Sequence, residues 1–159
     1  MPSVYLETSV ISYLSSRPSR DLVVAAHQQI TADWWHGRRQ KLDLFISQVV
    51  LNEARAGDPE AATRRLAYLH GIPVLGVTTE AGALAKSFLG AGILPAKAAD
   101  DALHVAIATA HGMEFLLTWN CRHIANGEIV RRLRSEAAAA GYDLPTICTP
   151  EELLGETYD

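Results

Sequence analysis

Short apolar runs alternate along this chain with longer segments of helical period. Val4–Leu6 contains a β-branched and an aromatic residue and ends at Glu7, which predicts a strand. Thr8 and Ser9 can cap a short helix through about Leu14, and Arg17-Pro18-Ser19 breaks it. Arg20 to Arg39 predicts a helix ending near Gly37. Leu42–Ile46 predicts a second strand, after which Ser47 can cap a helix carrying Glu53. Gly57-Asp58-Pro59 is a turn, with Pro59 opening a helix to about His70. Val74–Val77 is the third expected strand, and Thr78-Thr79-Glu80 starts a helix stopped near Gly90 to Gly92. Pro95 precedes a helix that contains Asp101 and ends at His111-Gly112. A fourth strand over Phe115–Thr118 and a helix over roughly Glu128–Ala140, closed by Gly141, follow. Thr146–Cys148 is a short fifth strand and Pro150–Leu154 a final turn. Strands alternating with helices imply an α/β protein with a mostly parallel sheet covered by helices. At 159 residues, with no repeat or linker, the simplest organisation is one domain over residues 1–159.

A few polar side chains interrupt this pattern. Glu7 sits inside the apolar run from Val4 to Leu14. A buried, unpaired carboxylate is costly, so it needs a partner, a cap role or a metal. Glu53 ends Ser47-Gln48-Val49-Val50-Leu51-Asn52-Glu53, Asp100 and Asp101 open the run Ala102–Ala108, and Asn120 follows Phe115–Trp119. Open α/β sheets bind ligands beyond the carboxyl ends of their strands, where Glu7 and Asn120 are expected. Such a set of oxygen donors on separate elements suits Mg²⁺ or Mn²⁺, and a cation so held suits hydrolysis of a phosphodiester. Each residue also has a plainer reading. Glu7 can be a first-turn acid favoured by the helix dipole, and Glu53 a solvated residue paired with Arg55. Asp100 and Asp101 can be helix-start acids, and Asn120 a turn residue. Thr8, Ser9 and Thr118 are caps or strand-end hydroxyls, or else orient the carboxylates from a second layer, Ser9 foremost.

Composition narrows the function. Apolar residues make up 48% and charged residues 20%, as in a soluble globular chain. No apolar run approaches the ~18 residues that span a bilayer, so no membrane role is expected. No basic stretch precedes an apolar core at the N-terminus, and Cys121 and Cys148 lack metal or redox spacing, so a cytoplasmic protein with two reduced thiols is expected. A net charge of -4 excludes binding to nucleic acid by bulk positive charge. RNA would have to be met by local patches such as Arg17 with Arg20, Arg38-Arg39 with Lys41, Arg64-Arg65, or Arg131-Arg132 with Arg134. Asp33 with His36 and Asp101 with His104 form two acid-x-x-His pairs of the kind found in di-iron bundles, but the strand content argues against a bundle. His104 reads as a core or rim histidine, and His123 as a phosphate-binding candidate. Trp34, Trp35 and Trp119 can stack on bases, or pack in the core or against a partner.

Four segments in order carry a resemblance: Val4-Tyr5-Leu6-Glu7-Thr8-Ser9-Val10-Ile11, Ser47 to Glu53, Asp101-Ala102-Leu103-His104-Val105-Ala106, and Leu116-Leu117-Thr118-Trp119-Asn120. With them the chain resembles the PIN-domain ribonucleases, in particular VapC-type toxins of bacterial toxin–antitoxin modules. The resemblance implies a three-layer α/β/α sandwich and Mg²⁺- or Mn²⁺-dependent endoribonuclease activity on RNA. It also implies a cognate antitoxin and a homodimer, for which Trp34, Trp35 and the apolar positions of the Thr79–Leu89 helix are candidate interface residues. It puts Glu7, Glu53, Asp101 and Asn120 in the catalytic set, with Glu7, Glu53, Asp101 and accessory Asp100 as metal ligands. The family's first acid is usually Asp; Glu7 keeps the charge but reaches one methylene further. Two other readings compete. An aspartyl-phosphate phosphatase needs an Asp nucleophile and a second acid two residues on, where this chain has Glu7 and Ser9. A non-catalytic PIN-like module for RNA or protein binding would follow if Glu7 abolished productive metal binding.

Overall fold

The computed structural model describes residues 1–155. Strands β1 (Ser3–Leu6), β2 (Asp43–Ser47), β3 (Val74–Leu75), β4 (Phe115–Leu117) and β5 (Thr146–Cys148) form one parallel sheet in the order β3-β2-β1-β4-β5. Parallel neighbours need long crossovers, and helices supply them. Helices α1 (Thr8–Ser15) and α2 (Leu22–Arg38) link β1 to β2, and α3 (Gln48–Arg55) and α4 (Pro59–Leu69) link β2 to β3. Helices α5 (Thr79–Gly90) and α6 (Ala99–Ala110) lead to β4, and α7 (Gly127–Ala139) to β5. Right-handed crossovers put each helix on the face set by the direction of travel. The chain moves outward from β1 to β3, then back past β1 to β4 and β5. Helices α1–α4 therefore cover one face and α5–α7 the other, giving the expected α/β/α sandwich. The packing agrees: α1 meets α2 and α4, while α5 meets α6 and α7.

Central β1 is covered on both faces, and Val4, Tyr5 and Leu6 are wholly buried. That double burial is why the strand reads as a continuous apolar run. Trp34 and Trp35 are also core residues, 0% and 6% exposed, as are Ala81, Leu84, Ala85 and Phe88 of α5. These positions, proposed from sequence as an interface, are thus filled within one chain. Among the described residues, no helix is long and apolar enough to cross a membrane.

Several boundaries differ from expectation for local reasons. The third strand stops at Leu75 rather than Val77: β3 is an edge strand, and the Gly76 carbonyl accepts from the His111 ring at 2.8 Å. Helix α2 begins after Asp21, whose side chain caps it through Val24 N, and runs through Gly37. Helix α1 is capped by Glu7 rather than by Thr8 or Ser9. Ser47 holds the cap position of α3, but its side chain makes no cap bond there.

Candidate active site

Strand order reverses between β1 and β4, so the chain leaves their carboxyl ends toward opposite faces and opens a crevice there. Register fixes what meets in it. Leu6 is level with Leu117, so Glu7 and Thr118 are the next residues on adjacent strands, and Glu7 N donates to Leu117 O at 3.0 Å.

Glu7 is buried, and its carboxylate accepts from Ser9 N at 3.1 Å, from the Ser9 hydroxyl, and from the Thr118 hydroxyl at 2.5 Å. Each hydroxyl spends its proton on Glu7 and accepts from the backbone beyond β4: Trp119 N donates to Ser9 Oγ at 2.8 Å, and Asn120 N to Thr118 Oγ1 at 2.9 Å. The cap reading and the site reading of Glu7 therefore coexist in one carboxylate.

Glu53 arrives on the last turn of α3. Its Oε1 accepts from the Thr8 hydroxyl at 2.7 Å and lies 2.5 Å from Nε2 of His104. The other ring nitrogen of His104 lies 2.7 Å from the Tyr5 hydroxyl, which in turn is 2.7 Å from Ser47 Oγ. His104 is wholly buried, as a core histidine would be, but the sequence reading did not foresee its contact with Glu53. The usable signal was the i, i+3 spacing from Asp101, which puts both on one helix face. His36, in the other acid-x-x-His pair, is exposed on α2.

Asp101 is held from the β4 side. Asn120 Nδ2 donates to Oδ1 at 3.0 Å, and His123 Nδ1 lies 3.0 Å from Oδ2. Asn120 Oδ1 in turn accepts from His123 N at 3.0 Å. A continuous path runs from Asp101 through Asn120 and Thr118 to Glu7. Asp100 is exposed at the start of α6 and takes no part in these bonds. Trp119 is buried; its Nε1 donates to Thr31 Oγ1 at 2.8 Å, and His27 stacks on its ring at 4.0 Å.

Two titrations are displaced in opposite directions. Burial alone would raise the Glu53 pKa, but the hydrogen bond and charge of His104, with the Thr8 hydroxyl, hold it below its ordinary value. Burial alone would lower His104, but its bond to Glu53 and the charges of Glu7, Glu53 and Asp101 raise it. Burial pushes the Tyr5 phenol far up, so it stays neutral.

The donor atoms of Glu7, Glu53 and His104 lie within 4.8 Å of one another. Two carboxylates and an imidazole within that span fit a divalent cation. Asp101 stands beside this group rather than in it, close enough for its charge to act on His104.

No protein-family model matches the sequence, and no curated protein matches it. Solved structures do match. VapBC2 from Rickettsia felis, solved bound to a DNA fragment from its promoter, aligns with TM-score 0.59 at 15% identity, covering 92% of this chain and 98% of that one. VapC20 of Mycobacterium tuberculosis, a sarcin–ricin loop cleaving toxin, aligns with TM-score 0.58 at 19% identity, covering 87% and 95%. At such identities the likeness is one of fold, and the fold of this chain is that of the VapC-type PIN-domain toxins.

Proposed function

We propose that this chain is a divalent-cation-dependent endoribonuclease, the toxin of a toxin–antitoxin pair, acting in the cytoplasm. The observation that carries the reading is the joining of Glu7, Asp101 and Asn120, with Glu53 beside Glu7, at the switch point of a VapC-like sheet. The likeness to a toxin that cleaves the sarcin–ricin loop supports RNA as the substrate class. Glu7 and Glu53 would hold Mg²⁺ or Mn²⁺, with Asp101 and Asn120 completing the cleft and Asp100 at its rim. When bound, such a cation supplies Lewis-acid polarisation of a phosphodiester and neutralises developing charge.

The chain's own residues set the geometry. Ser9 and Thr118 aim Glu7, and Thr8 and His104 aim Glu53. Asn120 and His123 each engage one Asp101 oxygen, which leaves lone pairs on both to orient an attacking water. Likeness to VapBC2 supports an antitoxin protein as the partner. The reading includes a homodimer, whose interface is not Trp34, Trp35 or the inner face of α5, since all are buried in one chain.

Cleavage of a structured RNA by the wild type with Mg²⁺ or Mn²⁺, and its loss in excess chelator, are the expected results. Persistence in chelator overturns the mechanism. A wild type that gives no calorimetric isotherm with either cation is instead the non-catalytic module.

A further inference from the structure

Beneath the acid cluster a line of side chains runs into the core: Glu53, His104, Tyr5, Ser47. Three of the four are wholly buried, so no water competes for their bonds. Tyr5 is level with Phe45 in the sheet, so Ser47 lies two residues on and faces the same side, which is the side α6 covers. The sheet itself thus delivers both hydroxyls to His104. It also explains why Ser47, in the cap position of α3, leaves that helix uncapped.

We infer that His104 is not a ligand to the cation but a donor that fixes the Glu53 carboxylate, and that Tyr5 and Ser47 are positioning residues acting through it. The inference rests on the proposed cation site at Glu7 and Glu53. The proton count supports it. A neutral phenol and a neutral imidazole leave one consistent direction in which Glu53 gains a donor: Ser47 to Tyr5, Tyr5 to His104 Nδ1, His104 Nε2 to Glu53. If the ring is cationic instead, Nδ1 donates to Tyr5 and Tyr5 to Ser47, and Nε2 still donates to Glu53. In both of these states Nε2 carries the proton; the remaining tautomer, with the proton on Nδ1 and given to Tyr5, would set the Nε2 lone pair against the Glu53 carboxylate oxygen 2.5 Å away. The carboxylate keeps its second oxygen, Oε2, for the cation, with its rotation stopped by Thr8 and His104 both on Oε1. Partners of this kind orient metal ligands and raise affinity.

The test combines nitrogen-15 NMR of the histidine ring with Mg²⁺ calorimetry on the full chain. In the Mg²⁺-loaded wild type, His104 Nε2 is expected to remain protonated. Tyr5→Phe is expected to weaken Mg²⁺ binding by about tenfold, and Ser47→Ala in the same direction by less. His104→Gln, whose amide nitrogen can replace the Nε2 donor, should retain more affinity than His104→Ala. Loss of the Nε2 proton on Mg²⁺ loading makes His104 a ligand and overturns the inference. So does an unchanged affinity in Tyr5→Phe. Should Tyr5→Phe fail to fold, the ring proton in the wild type and the Ser47→Ala isotherm still decide. A wild type that binds neither Mg²⁺ nor Mn²⁺ removes the proposed function itself. A wild type that binds, with variants that match it, removes this inference alone.

Discussion

One carboxylate at position 7 caps α1 and, through Ser9 and Thr118, anchors the backbone that follows β4. Asp101 carries less structural duty, since it accepts bonds from Asn120 and His123 at the cleft wall. Asp101→Asn should therefore cut RNA cleavage by more than about 100-fold, beyond the range typical of merely supporting residues. It should leave the thermal midpoint unchanged or raised, because it relieves repulsion among clustered acids. A cleavage assay beside thermal unfolding checks both, and a collapsed midpoint would reassign Asp101 to structure. The Glu53–His104 pair gives a second expectation, for protein freed of metal. The folded pKa of Glu53 lies below its ordinary 4.5, so its contribution to stability is present above that value and lost as pH falls through the folded one. The folded pKa of His104 lies above its ordinary 6.5, so its contribution is full below 6.5 and lost as pH rises through the folded value. The pair thus stabilises most between about 4.5 and 6.5. Urea midpoints against pH should show both limbs, and His104→Gln should flatten the alkaline one. The thiols differ as well. Cys121 is exposed, whereas burial, with the charge of Glu152, pushes Cys148 up to about 12. A thiol reagent should find one fast group in the native protein and the second only after unfolding.

Helix α7 owes its start to Asn126, whose Oδ1 accepts from Glu128 N at 3.1 Å and Ile129 N at 3.2 Å. Asn126→Ala should destabilise the protein by about 1 kcal/mol in chemical denaturation while leaving metal binding intact. A loss of metal affinity would instead tie the end of the 118–126 loop to the site. Cap residues like this were only partly legible in the sequence. The order of strands and helices was legible because apolar period and Gly or Pro stops are local signals, and Gly141, at φ 86° after α7, behaves as such a stop. Competition for side chains was not legible. Ser47 looks like a cap until Tyr5 is seen to claim its hydroxyl from another strand, 42 residues away. Glu7, Glu53, Asp101 and Asn120 stood out as polar breaks in apolar runs, but only the family resemblance raised Glu53 above a solvated helix residue and Asp101 above Asp100 as candidates. His104 did not stand out, because a histidine on an apolar helix gives no sign of which way its nitrogens face. The short β3 escaped for the same reason: the His111 ring that takes the Gly76 carbonyl lies 35 residues on.

At the scale of the whole molecule the charge distribution sets the terms for any partner. The chain is net acidic at -4, and its cleft concentrates Glu7, Glu53 and Asp101 at one sheet edge. An inhibitory protein seated there would need a cation to satisfy the acids, and arginine suits because its planar fork pairs with carboxylates bidentately. A guanidinium and a divalent cation would then compete for the same oxygens. Linkage makes the competition reciprocal: whatever weakens the partner in the presence of metal weakens the metal by the same factor in the presence of the partner. The antitoxin proposed above should therefore bind more weakly in millimolar Mn²⁺ than in chelator, and replacing its cleft-facing arginine with glutamine should abolish the difference. Calorimetry with and without Mn²⁺ measures it directly. Equal affinities in the two conditions would show that the partner acts elsewhere, for instance by covering arginines such as Arg131 and Arg134 on α7 that would otherwise meet RNA.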